Sequence, residues 1–164
     1  MFRAKIFGMK RMHSSSDSTA QAGARRAVLV GINAYQGQPL FGCVSDILAV
    51  KRFLIDEREF PAEHVRVLLD HDATRGAILV ALDELARVSR PGDEAVFYFC
   101  GHGVRLPTAD PMARERYDEA LCPVEFDWTA KTALLDDELR ALFDSFAEGV
   151  AITWVMDACH AGEL

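Results

Sequence analysis

The chain has 164 residues, 50% hydrophobic and 26% charged, enough to bury one sizeable core. No apolar run nears the ~18 residues that a membrane-spanning helix needs, so no membrane partner is expected. Net charge is −7 and unevenly spread: residues 1–26 hold six Lys or Arg and one Asp, residues 27–164 twelve Lys or Arg against twenty-four Asp or Glu, and such an acidic body argues against nucleic acid as a partner.

In chain order, residues 1–25 are basic and then Ser-rich (Ser14, Ser15, Ser16, Ser18), which predicts a disordered tail ahead of a domain at 26–164. Residues 27–32 (AVLVGI) are continuously apolar, as in a strand buried on both faces. Glycine and proline breakers then mark a loop over 33–42. Val44, Ile47, Leu48, Val50, Phe53 and Leu54 give 43–56 a helical period. A second strand is expected over 65–69. Asp72 or Thr74 can cap the next helix, whose stripe is Ile78, Leu79, Leu82, Leu85, Ala86 and Val88.

Pro91, Gly92 and Asp93 turn the chain into a strand over 94–100. The polar, proline-containing run 106–117 predicts a surface loop, and 119–124 a short strand. Asp136 is expected to cap a helix to about residue 147, and Gly149 to close it before a last strand at 151–156. This alternation predicts an α/β fold with a mostly parallel sheet and right-handed crossovers.

Ligands of such sheets sit beyond the carboxyl ends of the strands. Residues 31–33, 42–46, 101–103 and 157–159 all fall on that rim. There a thiol, Cys159, follows one strand, and an imidazole between glycines, His102, follows another. Alone, Cys159 reads as a small core residue; with His102 it meets the nucleophile-and-base requirement. His160 is an alternative base, but adjacent residues on a strand point to opposite sides. Asp157 shares Cys159's side of a strand, and Asp46 lies in the first helix's opening turn. Together they can bind a guanidinium or ammonium group; the plainer readings are a strand-end cap and a helix amino-terminal charge. Asp118, Glu119, Asp136, Asp137 and Glu138 form an acidic cluster without EF-hand spacing, a solvated face or a Ca²⁺ site. The four cysteines, Cys43, Cys100, Cys122 and Cys159, form no CxxC pair and no zinc spacing, which points to a reducing, cytoplasmic setting.

Six segments, RRAVLVGINAY, FGCVSDILAVKRFL, FYFCGHG, YDEALCPVEF, LLDDEL and WVMDACHAG, follow one another over about residues 25–164. In that order and spacing the chain resembles the large-subunit-like catalytic region of metacaspases, caspase-like cysteine peptidases. The resemblance implies a three-layer caspase-like sandwich, with helices on both faces of the sheet. It implies a Cys159–His102 dyad that cleaves after Arg or Lys, with the oxyanion held by the amides of Cys159 and Gly103. Asp46 and Asp157 match the family's acidic pocket, Cys43 matches a pocket-lining position, and Cys100 stands where the family often has Ser. Asp118, Asp136 and Asp137 match positions that bind an activating Ca²⁺; no organic cofactor is implied.

The family's domain continues past the nucleophile with further strands, so the resemblance predicts a truncated domain. An open sheet edge would be left for a small-subunit-like segment in trans. Self-processing is expected at Lys10-Arg11 or Arg25-Arg26. The alternatives are a non-catalytic caspase-like interaction module, or a separase-like or gingipain-like peptidase, against which Cys43 and Asp46 argue.

Overall fold

The computed structural model describes residues 5–7, 23–108 and 116–160, with side chains throughout except at 5–7, 159 and 160. Seven strands form one sheet: β1 (Lys5–Phe7), β2 (Arg25–Gly31), β3 (Val65–Leu69), β4 (Glu94–Pro107), β5 (Tyr117–Leu121), β6 (Leu134–Leu135) and β7 (Ala151–His160). Three helices join them: α1 (Cys43–Asp56), α2 (Arg75–Val88) and α3 (Asp136–Asp144). The main path runs β1-β7-β4-β2-β3, and β5, paired with β4, carries β6. β2, β3, β4 and β7 are mutually parallel, whereas β1 and β5 join antiparallel.

Alternation along the strands assigns the layers. Val28, Val30, Ala95, Phe97, Phe99 and Trp154 pack on one face with Ile78, Leu82 and Leu85 of α2 and Leu139 of α3. Ala27, Leu29, Val96 and Cys100 pack on the other with Cys43, Ile47 and Leu54 of α1. Each fully buried Leu or Phe contributes about 1.5–3 kcal/mol, so both faces are firmly held. This is the three-layer, caspase-like α/β sandwich the sequence predicts. The chain goes from β2 outward to β3, then back across β2 to β4. The order therefore reverses between β2 and β4, where open sheets place their ligand crevice.

Several boundaries differ from expectation. β4 runs seven residues past Cys100, because Gly103–Pro107 pair with Tyr117–Leu121; residues 106 and 107, expected in a loop, belong to it. β7 likewise continues through Asp157 to His160, in register with Cys100–Gly103. His102 and Cys159 thus stand within strands, not just beyond them. Asp136 is the first residue of α3 and not its cap; Leu135 holds the cap position with no side-chain bond. Thr74 does cap α2, accepting from the Ala77 amide at 3.2 Å. Within the expected tail, residues 5–7 pair with Trp154–Met156 of β7, on the edge expected to lie open. Lys10-Arg11 and residues 161–164 lie outside the described residues. No helix among the described residues is long and apolar enough to cross a membrane.

Candidate active site

The site forms on the α1 face, at the carboxyl end of β7 and beside the middle of β4. Val96 and Cys100 line that face, and His102 lies two residues beyond Cys100 on β4. On β7, Trp154 and Ala158 belong to the opposite face, which leaves Asp157 with the α1-face parity. The parallel register pairs Cys100 with Asp157 and His102 with Cys159. Two expected partners are therefore backbone neighbours across adjacent strands. His160 pairs with Gly103.

Gly31 lets α1 close on the sheet. A Cβ there would meet Ile47 Cγ1 at 2.8 Å and the Cys43 carbonyl at 2.9 Å. This approach brings Cys43 and Asp46, in α1's first turn, over the rim. One donor atom each from Asp46, Cys100 and Asp157 lies within 4.8 Å of the others. Cys100 donates to Asp157 Oδ2 at 3.8 Å. The contact with the Cys43 thiol, burial, and the nearby carboxylates push the Cys100 thiol up. Burial, then Asp157, pushes the Tyr98 hydroxyl up to about 12. Among the described residues no Lys or Arg forms a salt bridge with Asp46 or Asp157.

His102 is fixed by residues the sequence did not single out. Its Nε2 lies 2.8 Å from the Gln38 carbonyl. A carbonyl only accepts, so Nε2 carries a proton and donates it to this bond. Nδ1 is buried and has no hydrogen-bond partner among the described residues. The Tyr35 ring leans on the imidazole at 4.6 Å between centroids. The Tyr35 hydroxyl accepts from the His102 amide at 3.1 Å and donates to the Cys122 carbonyl at 2.8 Å. Burial pushes that hydroxyl's pKa up. Gly101 makes room for it, since a Cβ would collide with the Tyr35 oxygen. Gln38 acts through its main chain and leaves no side-chain signature. Tyr35 lies inside the GINAY segment, and an aromatic above a strand end was the available signal.

The remaining candidates stand elsewhere. Gly103 is inside β4, paired with Leu121 and His160. Asp118 and Glu119 lie in β5, opposite Leu106 and Arg105. Asp136 and Asp137 open α3, and Arg140 approaches them at 3.5 and 3.6 Å. Burial, then Asp137, raises the Asp136 carboxyl, and Asp118 adds to this. These are hard oxygen donors crowded by like charge. Their oxygens are not among the described sets gathered within 4.8 Å. Glu138 is engaged with Arg75 of α2 at 2.6 and 2.8 Å.

A family model described as metacaspase, peptidase C14 domain, matches residues 25–164. Metacaspase-1B of Aspergillus terreus is 34% identical over 153 residues, covering 88% of this chain and 40% of its own length. Metacaspase-7 of Arabidopsis thaliana is 35% identical over 149 residues, covering 86% of this chain and 36% of its own length. The crystal structure of protein GSU0716 from Geobacter sulfurreducens matches with a TM-score of 0.72 at 28% identity, over 85% of this chain and 52% of that one. The chain thus spans 36% to 40% of the length of these two curated relatives.

Proposed function

Because the chain belongs to the metacaspase (peptidase C14) family, we propose that it is a cysteine endopeptidase cleaving peptide bonds after Arg or Lys. One observation carries the reading: His102 and Cys159 are register partners on the rim where Asp46 and Asp157 meet. With Nε2 bonded to the Gln38 carbonyl, His102 takes the Cys159 thiol proton on Nδ1. The thiolate attacks the scissile carbonyl, and backbone amides of Cys159 and Gly103 stabilise the oxyanion. Collapse expels the amine, which takes the proton from His102 and leaves a thioester on Cys159. Water, deprotonated by His102, then releases the acid. Asp46 and Asp157 hold the substrate's basic side chain, Arg through paired N–H groups, while Cys43 and Cys100 line the pocket.

Ca²⁺ enters this reading as an activator held by Asp118, Asp136 and Asp137, where it would neutralise crowded carboxylates. Self-processing belongs at Lys10-Arg11, because Arg25 and Arg26 open β2 in register with Glu94 and Ala95. A small-subunit-like segment in trans would add to the β7 edge beyond Met156. The thiols of Cys43 and Cys100, which form no disulfide, suit a reducing, cytoplasmic setting. The test is incubation of the full chain, with Ca²⁺ and with chelator, with fluorogenic peptides ending in Arg, Lys or Asp. Cleavage after Arg and Lys, greater with Ca²⁺ and lost in Cys159→Ala, is expected. Cleavage after Asp alone, or turnover surviving Cys159→Ala, would sink the reading.

A further inference from the structure

The Cys43 and Cys100 thiols take no part in the proposed reaction, yet both are buried, at 7% and 4% exposure. They touch each other, and Cys100 Sγ lies 3.8 Å from Asp157 Oδ2. Recognition of a basic side chain needs only the carboxylates; a thiol is a weak acceptor. A tetrahedral ion bound to a thiolate and a carboxylate oxygen sets those atoms about 3.6 Å apart, from bonds of about 2.3 and 2.1 Å. The set of Asp46, Cys100 and Asp157 donors, all within 4.8 Å, is close to that spacing. Asp46 is exposed, which gives an ion a way in. Thiolate mixed with carboxylate selects Zn²⁺ or Cd²⁺ over Ca²⁺ and Mg²⁺, which take oxygen ligands.

We propose that Asp46, Cys100 and Asp157, with Cys43 beside them, bind a thiophilic divalent cation such as Zn²⁺. Binding converts the Cys100 thiol to thiolate, and its proton leaves to solvent. The ion neutralises the two carboxylates and completes its coordination with Cys43 or water. It then occupies the place of the substrate's basic side chain and excludes it. That consequence rests on the peptidase reading; the binding itself does not.

The test is a Cd²⁺ titration of the full-length Cys159→Ala chain under a non-chelating reductant, followed by the ultraviolet cadmium–thiolate absorption. A saturable band is expected, displaced by Zn²⁺ and untouched by excess Ca²⁺. Adding Cys100→Ser should remove the band. Adding Asp46→Asn, an exposed change that spares the core, should lower affinity on the order of tenfold or more. No saturable band, a band that survives Cys100→Ser at full strength, or unchanged affinity in Asp46→Asn overturns the site. The titration uses a chain that cannot turn over, so a failed cleavage assay leaves its result standing, and a missing band leaves the peptidase reading intact.

Discussion

At the amino end of β4, Asp93 is buried and answered three times. It accepts from the Ala24 amide at 2.8 Å, the Arg90 amide at 2.9 Å and the Arg26 guanidinium at 2.7 Å. Midway along the same strand, Asp46 and Asp157 crowd the Cys100 thiol and, among the described residues, form no salt bridge. The first arrangement is finished within the chain and ties β2, β4 and the turn before β4 together. The second, on the proposed reading, is completed by the substrate's basic side chain. Satisfied burial marks structure, and unanswered charge marks a place for a ligand.

Four substitutions test that contrast, from the largest expected effect to the smallest. His102→Ala should lower kcat on the order of 10²- to 10⁴-fold while the melting temperature stays near that of the parent. A fall of only a few-fold would remove the imidazole from the reaction. Asp157→Asn should lower kcat/KM for an Arg peptide by about 10- to 150-fold, the equivalent of about 1.5–3 kcal/mol for a charge-assisted pair. An equal loss on an uncharged substrate would place its effect in folding instead of specificity.

Asp93→Asn should behave in the opposite way, losing about 1–3 kcal/mol of stability with the activity of the folded fraction kept. Burial works against the charged Asp93, but the Arg90 and Ala24 amides and Arg26 prevail and hold its carboxyl below the usual range. A depressed carboxylate contributes fully above its unfolded value of about 3.9 and loses that contribution as pH falls through the lower, folded value. The parent's stability should therefore decline on acidification below about pH 4, and Asp93→Asn should flatten that decline in denaturant titrations. Glu84→Ala, which breaks an exposed pair with Arg66 at 3.0 Å, should shift stability by less than about 0.5 kcal/mol.

The layers were legible because buried strands and helical stripes are local patterns. Ile47 and Leu54 on α1, and Ile78, Leu82 and Leu85 on α2, pack where their spacing puts them. Strand ends were less legible. The strand was expected to end at Cys100, yet β4 continues through Gly101 and Gly103, since a partner strand beginning at Tyr117 extends it. Pairing across that distance has no local signature. Leu135 holds the cap of α3, although Asp136 has the better capping side chain, because β6 fixes where the helix begins. The chemistry of the rim was legible as residue types: Cys43, Asp46, Cys100 and Asp157 do converge. What orients His102 was not, because the Gln38 carbonyl is main chain and Tyr35 acts through the loop that carries it over the strand end.

The central claim is that Cys159 is a nucleophile served by a pocket for basic side chains. It is tested most directly by mapping the adducts left on the full chain by Arg- and Asp-ended peptidyl chloromethyl ketones, in which a thiolate displaces chloride to form a thioether. The account predicts a single adduct on Cys159 with the Arg probe, sharply slowed in His102→Ala and in Asp157→Asn, and little reaction with the Asp probe. Equal labelling by both probes, or an Arg-probe adduct on Cys43 or Cys100 with Cys159 unmodified, would contradict it.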